Sequence, residues 1–218
     1  MKYRLISIGI LFLLVTAGFL GFINLESNVV KASNIIYVGS GVGNDSTTIS
    51  GGIALANPGD TVFVYSGIYK EALWIDKTIN LIGEDRDTTI IDGMGQYVIT
   101  LASVDWVNIT GFTLTNGSYG IYSALSSHNT FINNIVHDNT FNGFHFTGCP
   151  YYNNTIIGNI VYNNQNGIHL EEDSSVDEEY FSNNSIINNI VYNNTTDGIF
   201  IQQGTGNYID QGGSNFII

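Results

Sequence analysis

Ring-bearing side chains recur at one position of a repeated segment and are the first candidates for chemistry in this chain. The segment appears at 128–146, 153–170 and 183–201, with a more divergent copy at 109–122. If the copies stack in register, these rings form one exposed column, and exposed apolar stripes usually mark a partner surface. One glycine precedes the last apolar residues of each copy, and we call it the marker glycine. We therefore predict carbohydrate binding at the residue two positions after the marker glycine: Tyr122, His145, His169 and Phe200.

A second outward-facing column is expected in the middle of each copy. It places Tyr162 and Tyr192 in line with His137. Flat rings at this position are a second candidate surface for sugar rings. The alternative for both columns is that like side chains stack across neighbouring strands only to stabilise the sheet.

Two of the ring positions also bear on metal binding. His145 and His169 could share a copper or zinc ion, since imidazole suits both metals. Two histidines alone make a poor site, and the sequence shows no cysteine or third histidine beside them. Copper is therefore not expected, and no cofactor is predicted.

The insertion EEDSSVDEE at 171–179 is the strongest local departure from the repeat, with six acids in nine positions. Ca²⁺ takes about six to eight oxygen ligands, so calcium remains an alternative. Its candidate ligands are Glu171, Glu172 and Asp173. The segment lacks the D-x-[DN]-x-[DN]-G spacing of a preformed calcium loop. Because like charges repel, we expect a solvated acidic loop.

Groups suited to catalysis are scarce. A glycoside hydrolase needs two carboxyls about 5–10 Å apart, whereas outside the insertion the copies offer only Asp138 and Asp197. Arg86 is the only arginine after residue 32 and lies in the turn-like stretch GEDRD. We expect it to be a solvated turn residue. No catalytic residue is predicted.

The spacing of the copies indicates which elements position these side chains. The marker glycines are 23, 24 and 31 residues apart, at Gly120, Gly143, Gly167 and Gly198. Periods in the twenties indicate stacked coils, and alternation of apolar and polar residues within a copy predicts strands. A leucine-rich repeat would need Leu-rich strands, and a propeller blade a period of about 40 or more. A parallel β-helix fits better.

One copy, 153–170, shows how such a coil should fold. Ile156 and Val161 should face inward, while Ile160 and Tyr162 face outward, which gives about three short strands and three turns. Gly167 is expected to supply a left-handed or sharply bent backbone.

Asparagine recurs at the turns between these strands. A buried Asn must satisfy its amide, and an identical Asn in the coils above and below can do so, as in parallel stacks. We predict two ladders: Asn134, Asn159 and Asn189 in one, and Asn139, Asn164 and Asn194 in the other.

The segment 46–57 predicts one short helix with Ser46 or Thr47 as N-cap. The pair Gly51-Gly52 weakens it by about 1 kcal/mol per Gly. A helix at this place would cap the open apolar end of the coil stack, which a solenoid requires for solubility.

The first 32 residues are typical of a secretory signal. Lys2 and Arg4 precede an apolar run over 5–23, and Val30-Lys31-Ala32 has the form of a cleavage site. The alternative is an uncleaved anchor, since about 20 apolar residues can span a bilayer. Residues 33–218 are expected to form one domain, truncated or open at its C-terminus because the sequence stops in the apolar run GSNFII.

The formal charge of −13 argues against a nucleic-acid partner. It also leaves Lys70, Lys77 and Arg86 as the only cationic side chains after residue 32, histidines aside.

The stretch IIYVGSG…NPGDTVFVYSG…INLIGE…TTIIDG is followed by copies of the form N-x-[IV]-x-x-N-x-x-G-[IF]-x-[LFI]. Together they resemble the right-handed parallel β-helix repeat proteins of the pectin-lyase-like superfamily, and within it the NosD-like branch of exported proteins. The resemblance covers nearly all of 35–218. It implies an all-β, right-handed single-stranded parallel β-helix with an extracellular, cell-surface or periplasmic location.

Members of this superfamily include carbohydrate-binding modules, polysaccharide lyases and hydrolases, surface-layer-associated proteins and an accessory protein for copper-site assembly. A lyase of this fold would need acidic calcium ligands and a basic residue, usually Arg, and the paired-Asp motifs of the pectin hydrolases are absent here.

We therefore expect an exported cell-surface β-helix module that is structural or carbohydrate-binding and non-catalytic. Its partner would be a polysaccharide or another cell-envelope component, with membrane contact only through the N-terminal segment if that is uncleaved. The alternatives are a polysaccharide lyase or hydrolase whose active coils lie beyond Ile218, and a NosD-like accessory protein for copper-site assembly.

Overall fold

The backbone winds through three parallel sheets in turn and returns to the first, forming a β-solenoid of about seven turns. The computed structural model describes residues 33–148, 151–171, 181–202, 207–209 and 216–217. The predicted signal at 1–32 and the candidate ligands Glu172 and Asp173 lie outside these ranges. The predicted all-β parallel β-helix is confirmed.

Strands are numbered in chain order. Within the described residues, the first sheet contains eight: β1 (Ile35–Val38), β2 (Thr61–Val64), β5 (Asn80–Gly83), β8 (Asn108–Thr110), β11 (Thr130–Ile132), β15 (Thr155–Ile157), β19 (Ser185–Ile187) and β22 (Tyr208–Ile209). In the same part of the chain the second sheet contains seven: β3 (Gly67–Lys70), β6 (Thr89–Asp92), β9 (Thr113–Thr115), β12 (Ile135–His137), β16 (Ile160–Tyr162), β20 (Ile190–Tyr192) and β23 (Phe216–Ile217).

The third sheet, which positions the candidate site, contains β4 (Leu73–Ile75), β7 (Ile99–Ala102), β10 (Ile121–Ala124), β13 (Asn142–Thr147), β17 (Asn166–Leu170) and β21 (Asp197–Ile201). A short pair, β14 (Tyr151–Tyr152) and β18 (Phe181–Ser182), lies between the third sheet and the first in chain order. Neighbouring strands pair in parallel with matching register, so that Ile160 lies beside Ile190.

The core lies between the three sheets. Inward-facing side chains at equivalent positions of neighbouring strands lie on one another and form columns along the solenoid. Phe131 and Ile156 pair in the first sheet, and Val136 and Val161 in the second; all four are essentially inaccessible to solvent. Ile160 and Tyr162 face outward and are partly exposed, as the alternation predicted. Burying a side chain of this size contributes about 1.5–3 kcal/mol, so the stack of coils supplies a continuous core that one coil could not.

The helix α1 covers the first coil. It spans Ile49–Leu55, within the predicted segment, and contacts β1, β2 and β4. Its N-cap is Thr48, whose hydroxyl accepts the Gly51 N–H at 3.1 Å. The prediction of Ser46 or Thr47 was wrong, because the Ser46 hydroxyl instead accepts the N–H of Thr48 in the turn that precedes the helix.

The marker glycines serve close packing rather than a left-handed backbone. The left-handed alternative predicted for Gly167 was wrong: neither it nor Gly143 has a positive φ, and both lie within strands. A Cβ atom on Gly143 would lie 2.7 Å from the Gly167 carbonyl oxygen and 2.7 Å from a methyl of Val161. Only glycine lets the backbone of one coil come this close to the next.

In the repeated coils, left-handed residues precede the buried asparagines of the ladders. Asn133, Asn163 and Asn188 have φ of 55°, 54° and 55°, and each comes directly before a buried Asn. Asparagine tolerates this conformation better than most residues. The repeated Asn-Asn pairs therefore divide two tasks: the first turns the chain, and the second points into the stack.

Candidate functional site

Both predicted columns of asparagines are hydrogen-bonded between coils. In the first, the Asn134 N–H donates to Oδ1 of Asn159 at 2.9 Å, and the Asn159 N–H donates to Oδ1 of Asn189 at 2.9 Å. The side-chain amide of Asn159 also donates to the Phe131 carbonyl at 3.0 Å. These contacts satisfy polar groups that the turns would otherwise leave buried without partners.

The second column repeats this geometry. The Asn139 N–H donates to Oδ1 of Asn164 at 3.1 Å, and the Asn164 N–H to Oδ1 of Asn194 at 3.0 Å. Both columns hold the corners of the coil in register, so they position the outer faces without forming part of them.

A third ladder was missed by sequence reasoning. Asn129, Asn154, Asn184 and Asn207 follow one another, with N–H to Oδ1 distances of 2.9, 3.0 and 3.0 Å. The signal was present, because the copies open on the pairs His128-Asn129, Asn153-Asn154 and Asn183-Asn184. The second residue of each pair has the same role as the buried asparagines of the other two ladders.

The structure brings the predicted rings of the third sheet into one column. Tyr122, His145, His169 and Phe200 are in register on β10, β13, β17 and β21. Successive ring centroids lie 5.4, 5.4 and 4.7 Å apart, with interplanar angles of 28°, 25° and 16°. The rings therefore stack face against face along the solenoid.

This stacking limits the ring surface that the column offers to a ligand. A sugar stacks on the face of a ring, and within the column those faces are covered by neighbouring rings. His145 is only 8% exposed and also packs against Tyr119, with centroids 5.0 Å apart. The middle of the column presents edges and polar atoms instead.

The rings of the second sheet behave in the same way. His137 stacks on Tyr162 at 4.7 Å and 3°, and Tyr162 on Tyr192 at 4.9 Å and 11°. Their faces are turned towards each other, as expected for cross-strand pairs that stabilise a sheet. The faces that Tyr162 turns towards His137 and Tyr192 are therefore not open to a sugar ring.

The column of the third sheet opens at its N-terminal end. Trp74 of β4 is in register with Thr100 of β7, and Thr100 with Tyr122. Because a threonine takes the place of a ring, a cavity of about 510 Å³ opens there, lined by Ala72, Leu73, Trp74, Gly95, Gln96, Tyr97, Thr100 and Ser118.

Two rings of this cavity are accessible to a ligand. Trp74 is 60% exposed and Tyr97 is 40% exposed. Tyr97 is held in place by Tyr122 and Tyr119, whose ring centroids both lie 4.9 Å from its own. Thr100, Gln96 and Ser118 add hydroxyl and amide groups. Sequence reasoning missed Trp74 and Tyr97, because they precede the first marker glycine and no repeat aligned them with the ring column.

A polar cluster lies further along the same face. His145, His169 and Glu171 place one ligand-type atom each within 4.8 Å of one another. Oε2 of Glu171 lies 3.6 Å from Nε2 of His169 and 3.9 Å from Nε2 of His145. The fold therefore supplies the third polar group that the sequence pattern did not show. Three such groups are close enough to face one small ligand.

The histidines of this cluster are held neutral. Burial, together with the neighbouring His169, lowers the pKa of His145 to about 4. Burial also lowers the pKa of His169, against the opposing effect of Glu171 and Asp197. At neutral pH both rings therefore act as hydrogen-bonding groups without charge.

Side chains behind His145 form a chain of hydrogen bonds. The backbone N–H of Asp197 donates to Oδ1 of Asn166 at 3.1 Å, and Nδ2 of Asn166 donates to Oδ1 of Asn142 at 2.8 Å. Nδ2 of Asn142 lies 2.8 Å from Nδ1 of His145.

No lysine or arginine of the described residues lines the cavity or belongs to a strand of the third sheet. Lys77 donates to the carbonyls of Ile53 and Ala56 at the end of α1, at 3.2 and 3.3 Å. Lys70 is on β3 of the second sheet. Arg86, expected to be a solvated turn residue, donates to Oδ1 of Asn133 at 2.8 Å and so fastens one turn to another.

These features define a protein of the parallel β-helix class with an aromatic third face. The family model described as "Periplasmic copper-binding protein (NosD)" matches residues 53–216, and the chain belongs to this family. A family of periplasmic proteins agrees with the expected export. No curated protein matches the chain. Among the described residues no helix is long and apolar enough to span a bilayer.

Solved structures share the fold. An alginate lyase from Paenibacillus sp. str. FPU-7 is 17% identical with a TM-score of 0.55, over 82% of this chain and 59% of the lyase. A pectin methylesterase from carrot is 13% identical with a TM-score of 0.49, over 79% of this chain and 63% of the esterase. This chain therefore spans less than two thirds of either enzyme. At 17% identity, the similarity to the lyase shows the fold alone.

Proposed function

We propose that this chain is an exported, non-catalytic β-helix module that binds carbohydrate in the cavity between Trp74 and Tyr97. The supporting observation is that these are the rings of the third face with substantial exposed surface and a cavity beside them. A volume of about 510 Å³ lies within the usual range of small-ligand sites, about 300–1,000 Å³. The partner would be a polysaccharide or another component of the cell envelope.

The composition of the cavity favours binding over bond cleavage. Of the described residues that line it, none is Asp, Glu, His, Lys or Arg. A glycosidase needs a pair of carboxyls on either side of the scissile bond, and a lyase needs a base. Apolar walls with a few hydroxyl and amide groups instead match a site that orients a neutral ligand.

The experiment is an array of immobilised glycans probed with the segment 33–218. Trp74→Ala should abolish the signal, because it removes the most exposed ring of the cavity. Trp106→Ala is the matched control: Trp106 is 64% exposed and stacks on His128, away from the cavity. Equal loss with both variants, or no binding to any glycan, would contradict the proposal. Shortened glycan products after incubation would favour the enzymatic alternative.

A further inference from the structure

The description of the family names copper, and the His145–His169–Glu171 cluster is where the described residues could hold it. We propose that the hydrogen-bond chain behind His145 fixes this ring with its proton on Nε2, so that His145 and Glu171 bind the hydroxyl groups of a neutral sugar rather than a transition metal. The ligand part of this inference rests on the proposed carbohydrate-binding function; the protonation part does not.

The direction of the hydrogen-bond chain is set at its far end. A backbone N–H can only donate, so the Asp197 N–H fixes Oδ1 of Asn166 towards itself. Nδ2 of Asn166 must then point at Asn142, whose Oδ1 accepts it. Nδ2 of Asn142 is left to donate to Nδ1 of His145. Reversing any amide would place two donors against each other.

A neutral imidazole has one donor and one acceptor nitrogen. Because Nδ1 of His145 accepts from Asn142, the proton resides on Nε2, the atom that faces Oε2 of Glu171. A histidine that binds a metal through Nε2 normally donates its other N–H to an acceptor. In His145 the other nitrogen, Nδ1, accepts a hydrogen bond instead of donating one, and Nε2 carries the proton. These residues therefore do not fit copper.

The same arrangement of one donor and one acceptor suits a sugar. His145 offers an N–H donor, and the Glu171 carboxylate, 46% exposed, offers an acceptor. A hydroxyl group both donates and accepts, so neighbouring hydroxyls of one sugar ring can satisfy both groups. Tyr119 and Tyr122 pack against His145 and lead from this cluster towards the Trp74 cavity.

Charge decides which sugars are suitable. The strands of the third sheet contain no lysine or arginine within the described residues, whereas Glu171 and Asp197 are acidic. A uronate carboxylate would face this negative charge without a cation to balance it. The site therefore fits an uncharged hexose or pentose chain and should reject acidic polysaccharides.

Long-range ¹H–¹⁵N spectra of the histidines at pH 7.5 test the protonation state. The expected result is protonated Nε2 and unprotonated Nδ1 at His145. A proton on Nδ1 would overturn the inference. A parallel titration with Cu²⁺ and then Zn²⁺ should give no binding that depends on His145. Stoichiometric binding that His145→Ala removes would also overturn it.

The glycan test compares neutral oligosaccharides with uronates of the same length. Neutral ligands should bind, and Glu171→Gln should weaken them about tenfold, as expected for the loss of one charge-assisted hydrogen bond. Uronates that bind as tightly as neutral glycans would overturn the ligand part alone. If no glycan of either class binds while His145 keeps its proton on Nε2, the proposed function fails and the hydrogen-bond chain stands.

Discussion

Asn134 and Asn159 are 25 residues apart in sequence and are joined by two hydrogen bonds to a single oxygen atom. The backbone N–H of Asn134 donates to Oδ1 of Asn159 at 2.9 Å, and its side-chain Nδ2 donates to the same oxygen at 3.2 Å. Asn159 makes the same two contacts with Asn189. Each asparagine thus accepts hydrogen bonds from the preceding coil and donates hydrogen bonds to the following one. These buried bonds fix the register between coils, and with it the positions of the side chains on the outer faces.

Replacing one member of a ladder should therefore be costly. Asn159→Ala removes the acceptor of the buried Asn134 N–H and a donor to the Phe131 carbonyl, and we expect a loss of about 3 kcal/mol in the free energy of unfolding. Urea denaturation measures it. Asn163→Gly is the control, because Asn163 is exposed and left-handed, and glycine keeps that backbone. Equal loss in both variants would contradict the ladder.

The marker glycines make a second prediction. Gly143→Ala would push a methyl group against the Gly167 carbonyl and Val161, and we expect a loss of about 3 kcal/mol. Gly158→Asn is the comparison: Gly158 has a φ of 66° and open space around it, and Asn133 and Asn188 occupy the equivalent place in other coils. It should change stability by no more than about 0.5 kcal/mol. A tolerated Gly143→Ala would show that the coils are not packed this closely.

The buried histidines predict a dependence of stability on pH. The folded-state pKa of His145, about 4, lies below its ordinary value of 6.5. Between these values the unfolded chain binds the proton and the folded chain does not, so stability should fall as the pH decreases from 6.5 to 4. One pKa unit is worth about 1.4 kcal/mol and solvent screens part of it, so we expect a loss of about 2 kcal/mol.

The matched variant for this effect is His145→Gln, which keeps an acceptor for Asn142 but does not titrate. Its free energy of unfolding, measured by urea denaturation at pH 7.0, 6.0, 5.0 and 4.5, should fall less steeply than that of the wild type. His169 acts in the same direction, because its pKa is also lowered. If the free energies of unfolding of the wild type and the variant fall equally with pH, groups other than His145 cause the pH dependence.

The cap of the solenoid gives a local prediction. The carboxylate of Glu71 accepts the N–H groups of Ile49 and Ser50 at 2.8 and 2.9 Å, at the start of α1. Glu71→Ala should raise hydrogen exchange in α1 and β1 while the central coils keep their protection. Glu84→Ala removes a similar carboxylate bonded to Ser66 and should leave α1 unchanged. Faster exchange in the central coils with Glu71→Ala would mean that the helix is not a local cap.

The coil architecture could be predicted from the sequence because the repeat encodes it directly. Ile156 and Val161 alternate with outward residues, and the spacing of the glycines fixes the length of the turn, so inward and outward positions followed from the sequence alone. The Asn columns also followed, since Asn134, Asn159 and Asn189 occupy equivalent places in successive copies.

Other features depend on distances that the sequence does not show. The close contact of Gly143 with Gly167 arises only once the coils are stacked, so the sequence alone suggested a left-handed or sharply bent backbone at Gly167 instead. Trp74 and Tyr97 lie in coils too divergent to align, and the cavity exists because Thr100 leaves a gap between rings. The free ring faces therefore lie at one end of the column rather than along it.

The most direct test of the account is ¹H–¹⁵N spectroscopy of the two indole groups during titration with a neutral oligosaccharide. Trp74 and Trp106 are the only tryptophans of the chain, so the spectrum contains one indole signal for each. The account predicts that the Trp74 signal shifts and saturates while the Trp106 signal stays unchanged. A shift of Trp106 alone, or an unchanged Trp74 signal at saturating oligosaccharide, would contradict it.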